Sequence, residues 1–273
     1  MKQLRVIRVF LAALFFAAAS AYLMIGPRVH PLAAVSFKSQ VVLSAVSVSI
    51  GAALVWLVLT FLFGRIYCST VCPIGTLSDI FIWLRRYIPR LNRPFSFRPR
   101  RVWSVHVLLG YLICLTTGLV AVPYLVEPWN IMRNIASAVN PSAVETTWIA
   151  LGLGAATGIA AGIISLLLIA VWSALAGRGF CTDFCPMGTA MGLLHEHTLY
   201  HIEIDPDRCT SCGLCEDACK SQCIKIVSRY VDNSRCVRCF DCVAKCPDEA
   251  IRFQQNRNRR VTPLMRKVKK STQ

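Results

Sequence analysis

Charge is what this sequence has least of. Only 16% of its 273 residues are Asp, Glu, Lys or Arg, against 55% hydrophobic residues and a mean hydropathy of +0.52, values that exclude an ordinary soluble globular domain. Acidic residues are the scarcest, with 14 Asp and Glu against 30 Lys and Arg. That imbalance raises the question of a nucleic-acid partner, but the basic residues lie where a membrane topology would put them, and no nucleic acid is expected. Histidine is sparse too, five in all. His106 is the only one inside an apolar run, which excludes a bis-histidine haem within a helix bundle. No group of residues resembles a catalytic pocket for a small substrate.

What is present is apolar sequence in four nearly uncharged runs, 9–25, 41–63, 102–126 and 147–177. Their lengths predict four transmembrane helices in an α-helical membrane protein, with the lipid bilayer as a partner. The first run could also be read as a cleavable secretory signal. Lys2, Arg5 and Arg8 precede it and Ala18-Ala19-Ser20-Ala21 is a small-residue stretch, although the apolar run continues to Ile25. Of the 30 Lys and Arg, 3 precede the first run, 8 lie in 64–101 and 16 follow residue 176, leaving Arg28, Lys38 and Arg133 on the other side. The positive-inside bias then puts both termini and the 64–101 loop in the cytoplasm. Thirteen of the fourteen cysteines fall on that side or at its boundary, a reducing setting in which disulfides are rare. The exception, Cys114, lies mid-run and reads as a buried apolar side chain.

The most informative stretch is Cys209 to Cys246. It reads Cys209-x2-Cys212-x2-Cys215-x3-Cys219 and then Cys236-x2-Cys239-x2-Cys242-x3-Cys246-Pro247, the spacing of a bacterial two-cluster ferredoxin. Three cysteines of one loop cap three irons of a cubane, and the fourth ligates the other cluster. One [4Fe-4S] cluster would thus take Cys209, Cys212, Cys215 and Cys246, and a second Cys236, Cys239, Cys242 and Cys219. Zinc would need only four ligands and leaves the third and fourth cysteines of each run unexplained. Two details depart from the pattern: Lys220 stands where the second run has Pro247, and Cys223 is additional, aligned with Ala250. Cys223 reads as a small buried residue, with replacement of Cys219 as ligand the alternative.

A second duplication lies upstream. Gly64-Arg65-Ile66-Tyr67-Cys68-Ser69-Thr70-Val71-Cys72-Pro73-Ile74-Gly75-Thr76 matches Gly177-Arg178-Gly179-Phe180-Cys181-Thr182-Asp183-Phe184-Cys185-Pro186-Met187-Gly188-Thr189, 113 residues on. The membrane part is therefore two repeated hairpins, each closing on the cytoplasmic side in C-x3-C-P. Arg65 and Arg178 are expected to snorkel at the headgroups. The prolines should open short amphipathic helices over 74–87 and 187–199. Gly154, Gly158 and Gly162 form a small-residue ladder for helix packing. Cys68, Cys72, Cys181 and Cys185 could converge on a further iron–sulfur cluster, a labile metal site or free redox-active thiols.

The domain reading is a four-helix transmembrane domain over 1–200, an α+β two-[4Fe-4S] ferredoxin domain over 201–253 and a basic disordered tail over 254–273 with seven Lys and Arg and no acid. Strands are expected at 201–204 and 224–227, with a turn at Asp232-Asn233-Ser234. His106 could accept a proton from a quinol or be structural. His30, Glu127 and Glu145 on the far side could serve proton release or be ordinary loop residues. His195, His197 and His201 read as solvent-exposed.

Four spans, two C-x3-C-P motifs at cytoplasmic helix ends and a two-cluster ferredoxin module resemble the NapH-type quinol dehydrogenase membrane components, with relatives in the MauN and NosR groups. The resemblance covers nearly the whole chain. It implies a membrane electron-transfer subunit that oxidises menaquinol or ubiquinol and passes electrons, with other iron–sulfur or c-type haem subunits, toward a periplasmic reductase. It also implies cluster-ligand roles for the eight ferredoxin cysteines, and a redox or structural role for Cys68, Cys72, Cys181 and Cys185. Two readings of other classes stand beside it: an assembly or maturation factor supplying electrons or metal to another enzyme, and a membrane anchor for a cytoplasmic oxidoreductase.

Overall fold

A computed structural model describes residues 2–25, 50–99, 102–117, 127–139, 154–194 and 198–255. In chain order its helices are α1 (Lys2–Ile25), α2 (Ile50–Phe63), the single turn α3 (Tyr67–Thr70), α4 (Pro73–Leu84), α5 (Trp103–Thr116), α6 (Pro128–Val139), α7 (Gly154–Ala176) and α8 (Pro186–Leu193). A C-terminal module follows, made of β1 (Tyr200–Ile204), α9 (Leu214–Asp217), β2 (Ile224–Lys225), β3 (Tyr230–Val231), α10 (Asp241–Lys245) and β4 (Ile251–Gln255). Within α1 and α7, Gln3–Met24 and Ile159–Ala176 are long and apolar enough to cross a membrane. The apolar parts of α2 and α5, Leu54–Phe63 and Trp103–Thr116, are shorter, because the expected spans 41–63 and 102–126 run into residues outside the described set. The basic tail beyond Gln255, His30, Glu145, His195 and His197 also lie outside it, whereas Gln254 and Gln255, expected in the tail, are the end of β4, paired with His201 and Tyr200.

The two C-x3-C-P segments are built alike. Both preceding helices stop at a glycine with positive φ, Gly64 at +74° and Gly177 at +59°. The second cysteine of each pair is the extended residue before a helix, and the proline takes the first helical position, where a missing N–H is no loss. Between the cysteines the copies differ: α3 is an α-helical turn, whereas Phe180–Phe184 forms a π-helical turn. The amphipathic helices expected over 74–87 and 187–199 are observed as α4 with a 3-10 turn at Arg85–Tyr87 and as the shorter α8.

One buried cluster joins these segments to α1, α6 and α7. It holds Ala19, Leu23, Tyr67, Cys68, Val71, Cys72, Ile74, Trp129, Met132, Ala136 and Ile169. The contribution of α6 was not apparent from the sequence, where 127–146 reads as a far-side loop. Trp129, Met132 and Ala136 recur at helical spacing on one face, so the segment folds as a helix and buries that face against the cysteine repeats.

The C-terminal module has its own small core, with Ile202, Ile204, Ile224, Val231 and Ile251 packed among cysteines. β1 pairs antiparallel with β4, Ile202 opposite Phe253, and β2 pairs with β3. The expected strand at 224–227 is cut short by a 3-10 turn at Ile226–Ser228, while the turn at Asn233 and Ser234 is present. Phe63 at the end of α2 stacks on Tyr200 at 5.7 Å, and Tyr200 lies 5.4 Å from Phe253. These rings seat the sheet against the helical part.

Candidate iron-sulfur sites

The duplication within the C-terminal module extends to its backbone. Ser211 and Arg238, Gly213 and Phe240, and Gln222 and Glu249 all have positive φ, and each pair is 27 residues apart, the spacing of Cys209 to Cys236. Five non-glycine residues thus hold left-handed conformations in matched positions, which curls each cysteine loop in the same way. Two cavities result. One is lined by Cys209, Cys212, Cys215 and Cys246. The other is lined by Cys219, Cys236, Cys239 and Cys242, with Cys223 as a fifth thiol. The first run thus gives its fourth cysteine to the second cavity, and the second run gives its own to the first. Sulfur donors facing an otherwise mostly apolar enclosure suit iron–sulfur clusters.

Burial raises the thiol of Cys215 to about 11 and that of Cys239 to about 12, so metal must displace protons on binding. Cys223 is buried, and its sulfur lies 3.4 Å from that of Cys219. Its hydrogen bonding lowers Cys219, brings Cys236 down to about 5 and leaves Cys223 itself well above the usual thiol value. At the matching place in the other cavity stands Ala250.

Cys68, Cys72, Cys181 and Cys185 are all buried. Burial, then the charges of Cys181, Cys68 and Cys185, drive the Cys72 thiol up, and burial raises Cys181 to about 11. The four therefore sense one another across the two repeats. The repeats are also cross-bolted by their arginines. Arg65 donates to the carbonyl of Cys181, and Arg178 donates to the carbonyl of Cys68 at 2.6 Å. A Cβ at Gly75 would lie 2.1 Å from the Cys68 oxygen, and one at Gly188 equally close to that of Cys181, so the glycine of each motif leaves room for this exchange. Arg65 and Arg178 are 2% and 0% exposed. The expectation that they snorkel is corrected: in each case a partner carbonyl in the other repeat compensates the buried guanidinium.

The second cysteine run rests directly on these repeats. Arg65 donates to the Ser234 carbonyl at 3.1 Å, Ser69 Oγ to the Arg238 carbonyl at 3.4 Å, and Arg238 Nε to the Phe63 carbonyl at 3.1 Å. Arg235 lies 3.5 Å from Asp183, between Cys181 and Cys185 in sequence. Val237 and Cys239 belong to the same buried cluster as Cys68 and Cys72. The first run faces outward, with Cys212 exposed.

A buried charge centre holds the layers together. Asp79 is bonded by Arg8 from α1, by Arg178 at 2.7 Å and by Lys220 at 3.3 Å, and Lys220 reaches Asp241 at 2.7 Å. Burial alone would raise the Asp79 carboxyl, but Arg178, Lys220 and Arg8 outweigh it and hold it far below the carboxylate range. Lys220, the departure from the proline pattern, thus links the C-terminal module to the helices. One sequence signal pointed there: Asp79 is the only acid in 64–101.

The remaining candidates are dispersed. His106 is exposed on α5, with Nδ1 3.2 Å from the Val102 carbonyl. Cys114 is half-buried on the same helix. His201, expected at the surface, is buried, with Nε2 3.0 Å from Thr198 Oγ1. Glu127 opens α6, half-buried, and accepts a 2.5 Å hydrogen bond from Asn130.

Comparison with known proteins matches the same segments. A 4Fe-4S binding domain model matches residues 45–91 and 159–199, one match on each C-x3-C-P repeat, and a second 4Fe-4S binding domain model matches 200–221. The chain is 26% identical over 213 residues to the ferredoxin-type protein NapH of Haemophilus influenzae, covering 75% of this chain and 67% of that one. It is 27% identical over 195 residues to the methylamine utilization ferredoxin-type protein MauN of Paracoccus denitrificans, covering 71% and 61%. An uncharacterized protein of Methanocaldococcus jannaschii is 26% identical over 197 residues, 72% and 67% of the two chains. No solved structure matches. The fold and thiol sites define an iron–sulfur protein with an electron-transfer role. Within that class the resemblance to NapH/MauN-type polyferredoxins stands.

Proposed function

We propose that this chain is a multi-pass subunit of the bacterial cytoplasmic membrane that oxidises quinol and passes the electrons through three thiol-held centres to a partner redox protein. The four apolar runs serve as spans, with both termini and the ferredoxin module on the cytoplasmic side and α6 folding back from the far side between the spans to reach the cysteine repeats. Cys209, Cys212, Cys215 and Cys246 hold the outer [4Fe-4S] cluster, and Cys219, Cys236, Cys239 and Cys242 the inner one. Cys68, Cys72, Cys181 and Cys185 hold a further iron–sulfur centre at the membrane boundary. The observation that carries this reading is the single buried cluster containing Cys68, Cys72 and Cys239, which leaves no solvent layer between the boundary thiols and the inner cluster. Glu127, on the helix packed against those thiols, takes the quinol proton in place of the outward-facing His106.

In inverted vesicles containing the protein, added menaquinol is expected to reduce the clusters, seen as loss of visible absorbance and growth of reduced-cluster EPR signals. Clusters that respond to dithionite but never to menaquinol or ubiquinol would sink the quinol reading. The ligand assignment has a separate check. Cys223→Ala, which copies Ala250 of the other cavity, is expected to leave the iron content unchanged. Loss of about four iron atoms per chain would instead make Cys223 the ligand in place of Cys219.

A further inference from the structure

The segment from Phe81 to Phe95 separates two adjoining cavities of opposite character. On the side of the C-terminal module is a cleft of about 320 Å³ whose lining includes Arg85, Arg86, Arg93, Lys220 and Lys245, with Asp217 as the acid. Lys220 is engaged by Asp79 and Asp241, but Arg86, Arg93 and Lys245 make no ion pair among the described residues. On the other side is an apolar groove of about 310 Å³, bounded by Phe81, Leu84, Ile88 and Leu91 and by Val171 and Leu175 of α7. Arg85 is common to both. It is fixed by donating to the Ala174 and Arg93 carbonyls at 2.9 and 2.6 Å, and its guanidinium stacks 3.9 Å from the Phe95 ring. Beside the groove Trp83 and Tyr87 form an exposed edge-to-face pair at 5.1 Å, the residue types that favour the headgroup level of a bilayer.

A cationic cleft and an apolar groove that meet at Arg85, at a depth marked by Trp and Tyr, match a molecule with an anionic head and an acyl tail. We propose that this pair of cavities binds an anionic glycerophospholipid, its phosphate between Arg86, Arg93 and Lys245 and one acyl chain along α7. The proposal rests on the membrane reading above. The headgroup would tie the segment that follows α4 to α10, and so would hold the inner cysteine run against the C-x3-C-P repeats.

The test is native mass spectrometry of the detergent-purified holoprotein titrated with phosphatidylglycerol, phosphatidylcholine or inorganic phosphate. Phosphatidylglycerol is expected to be retained preferentially. The triple variant Arg86→Gln, Arg93→Gln, Lys245→Gln changes only exposed side chains and should keep its cluster spectrum, while retention falls roughly tenfold or more. Ala174→Trp, which fills the groove, should lose the lipid as well. Equal retention of phosphatidylcholine, or wild-type retention by the triple variant, overturns the proposal. So does displacement by inorganic phosphate that Ala174→Trp leaves unchanged, or recovery of a quinone from the groove in place of lipid. Extraction of the chain from membranes by carbonate washing would overturn the membrane reading instead, so the two failures are distinguishable.

Discussion

The double variant Cys68→Ser, Cys181→Ser is expected to abolish menaquinol-driven reduction of the ferredoxin clusters while leaving those clusters in place. Serine is close in size to cysteine but is a poor ligand for the soft metal centres that thiolates hold. The fold should survive the change, because Arg65 and Arg178 bond to the carbonyls at these positions and not to the sulfurs. Iron should fall from about twelve to about eight atoms per chain if the boundary centre is a cubane. Dithionite should still reduce the remaining clusters, and both should keep their EPR signatures. Unchanged iron together with wild-type reduction by menaquinol would remove the boundary thiols from the electron path, and the reading of the chain as a wire with them.

The parts that were legible in the sequence are those written in spacing. The two cysteine runs, the 113-residue repeat and the ends of the apolar helices at Gly64 and Gly177 could all be read without a partner residue being known. What could not be read depends on pairings between distant segments. A lone arginine after an apolar run suggests snorkelling, and only the crossing of the two repeats shows Arg65 and Arg178 buried against each other's cysteine carbonyls. The packing of α6 was concealed by its mixed composition, with Asn130, Arg133 and Asn134 between the apolar positions that face the core. His201 looked exposed because its partner Thr198 lies in a linker without a motif. Lys220 looked like a flaw in the ferredoxin pattern, because its role depends on Asp79, which is 141 residues earlier.

That pairing also explains how two similar repeats hold one dissimilar module. The position equivalent to Asp79 in the second repeat is Gly192. A Cβ there would lie 2.8 Å from the Ser234 carbonyl, the group to which Arg65 donates. One arginine of the pseudo-symmetric pair is therefore answered by a carboxylate and the other by the backbone of the cysteine run.

Asp79→Asn is accordingly expected to be the most damaging change outside the cysteines. It keeps the size of the side chain but leaves Arg178 and Arg8 buried, with Lys220 mostly buried, around a neutral group. Breaking a buried ion pair from one side typically costs about 3–5 kcal/mol, a loss of roughly a hundredfold or more in the folded population. Since Asp79 meets α1, the repeat arginine and the C-terminal module, the loss should appear as a lower thermal midpoint and as faster proteolysis between α8 and β1. Linkage fixes the pH behaviour. A carboxyl lowered on folding contributes its full stability above its unfolded value of about 3.9 and loses it only as pH falls through the lower folded value. The difference between wild type and Asp79→Asn should therefore stay constant from about pH 5 to 8 and narrow only in strong acid. A difference that instead vanished on raising the pH through neutrality would assign the effect to another group and remove Asp79 from the centre of the fold.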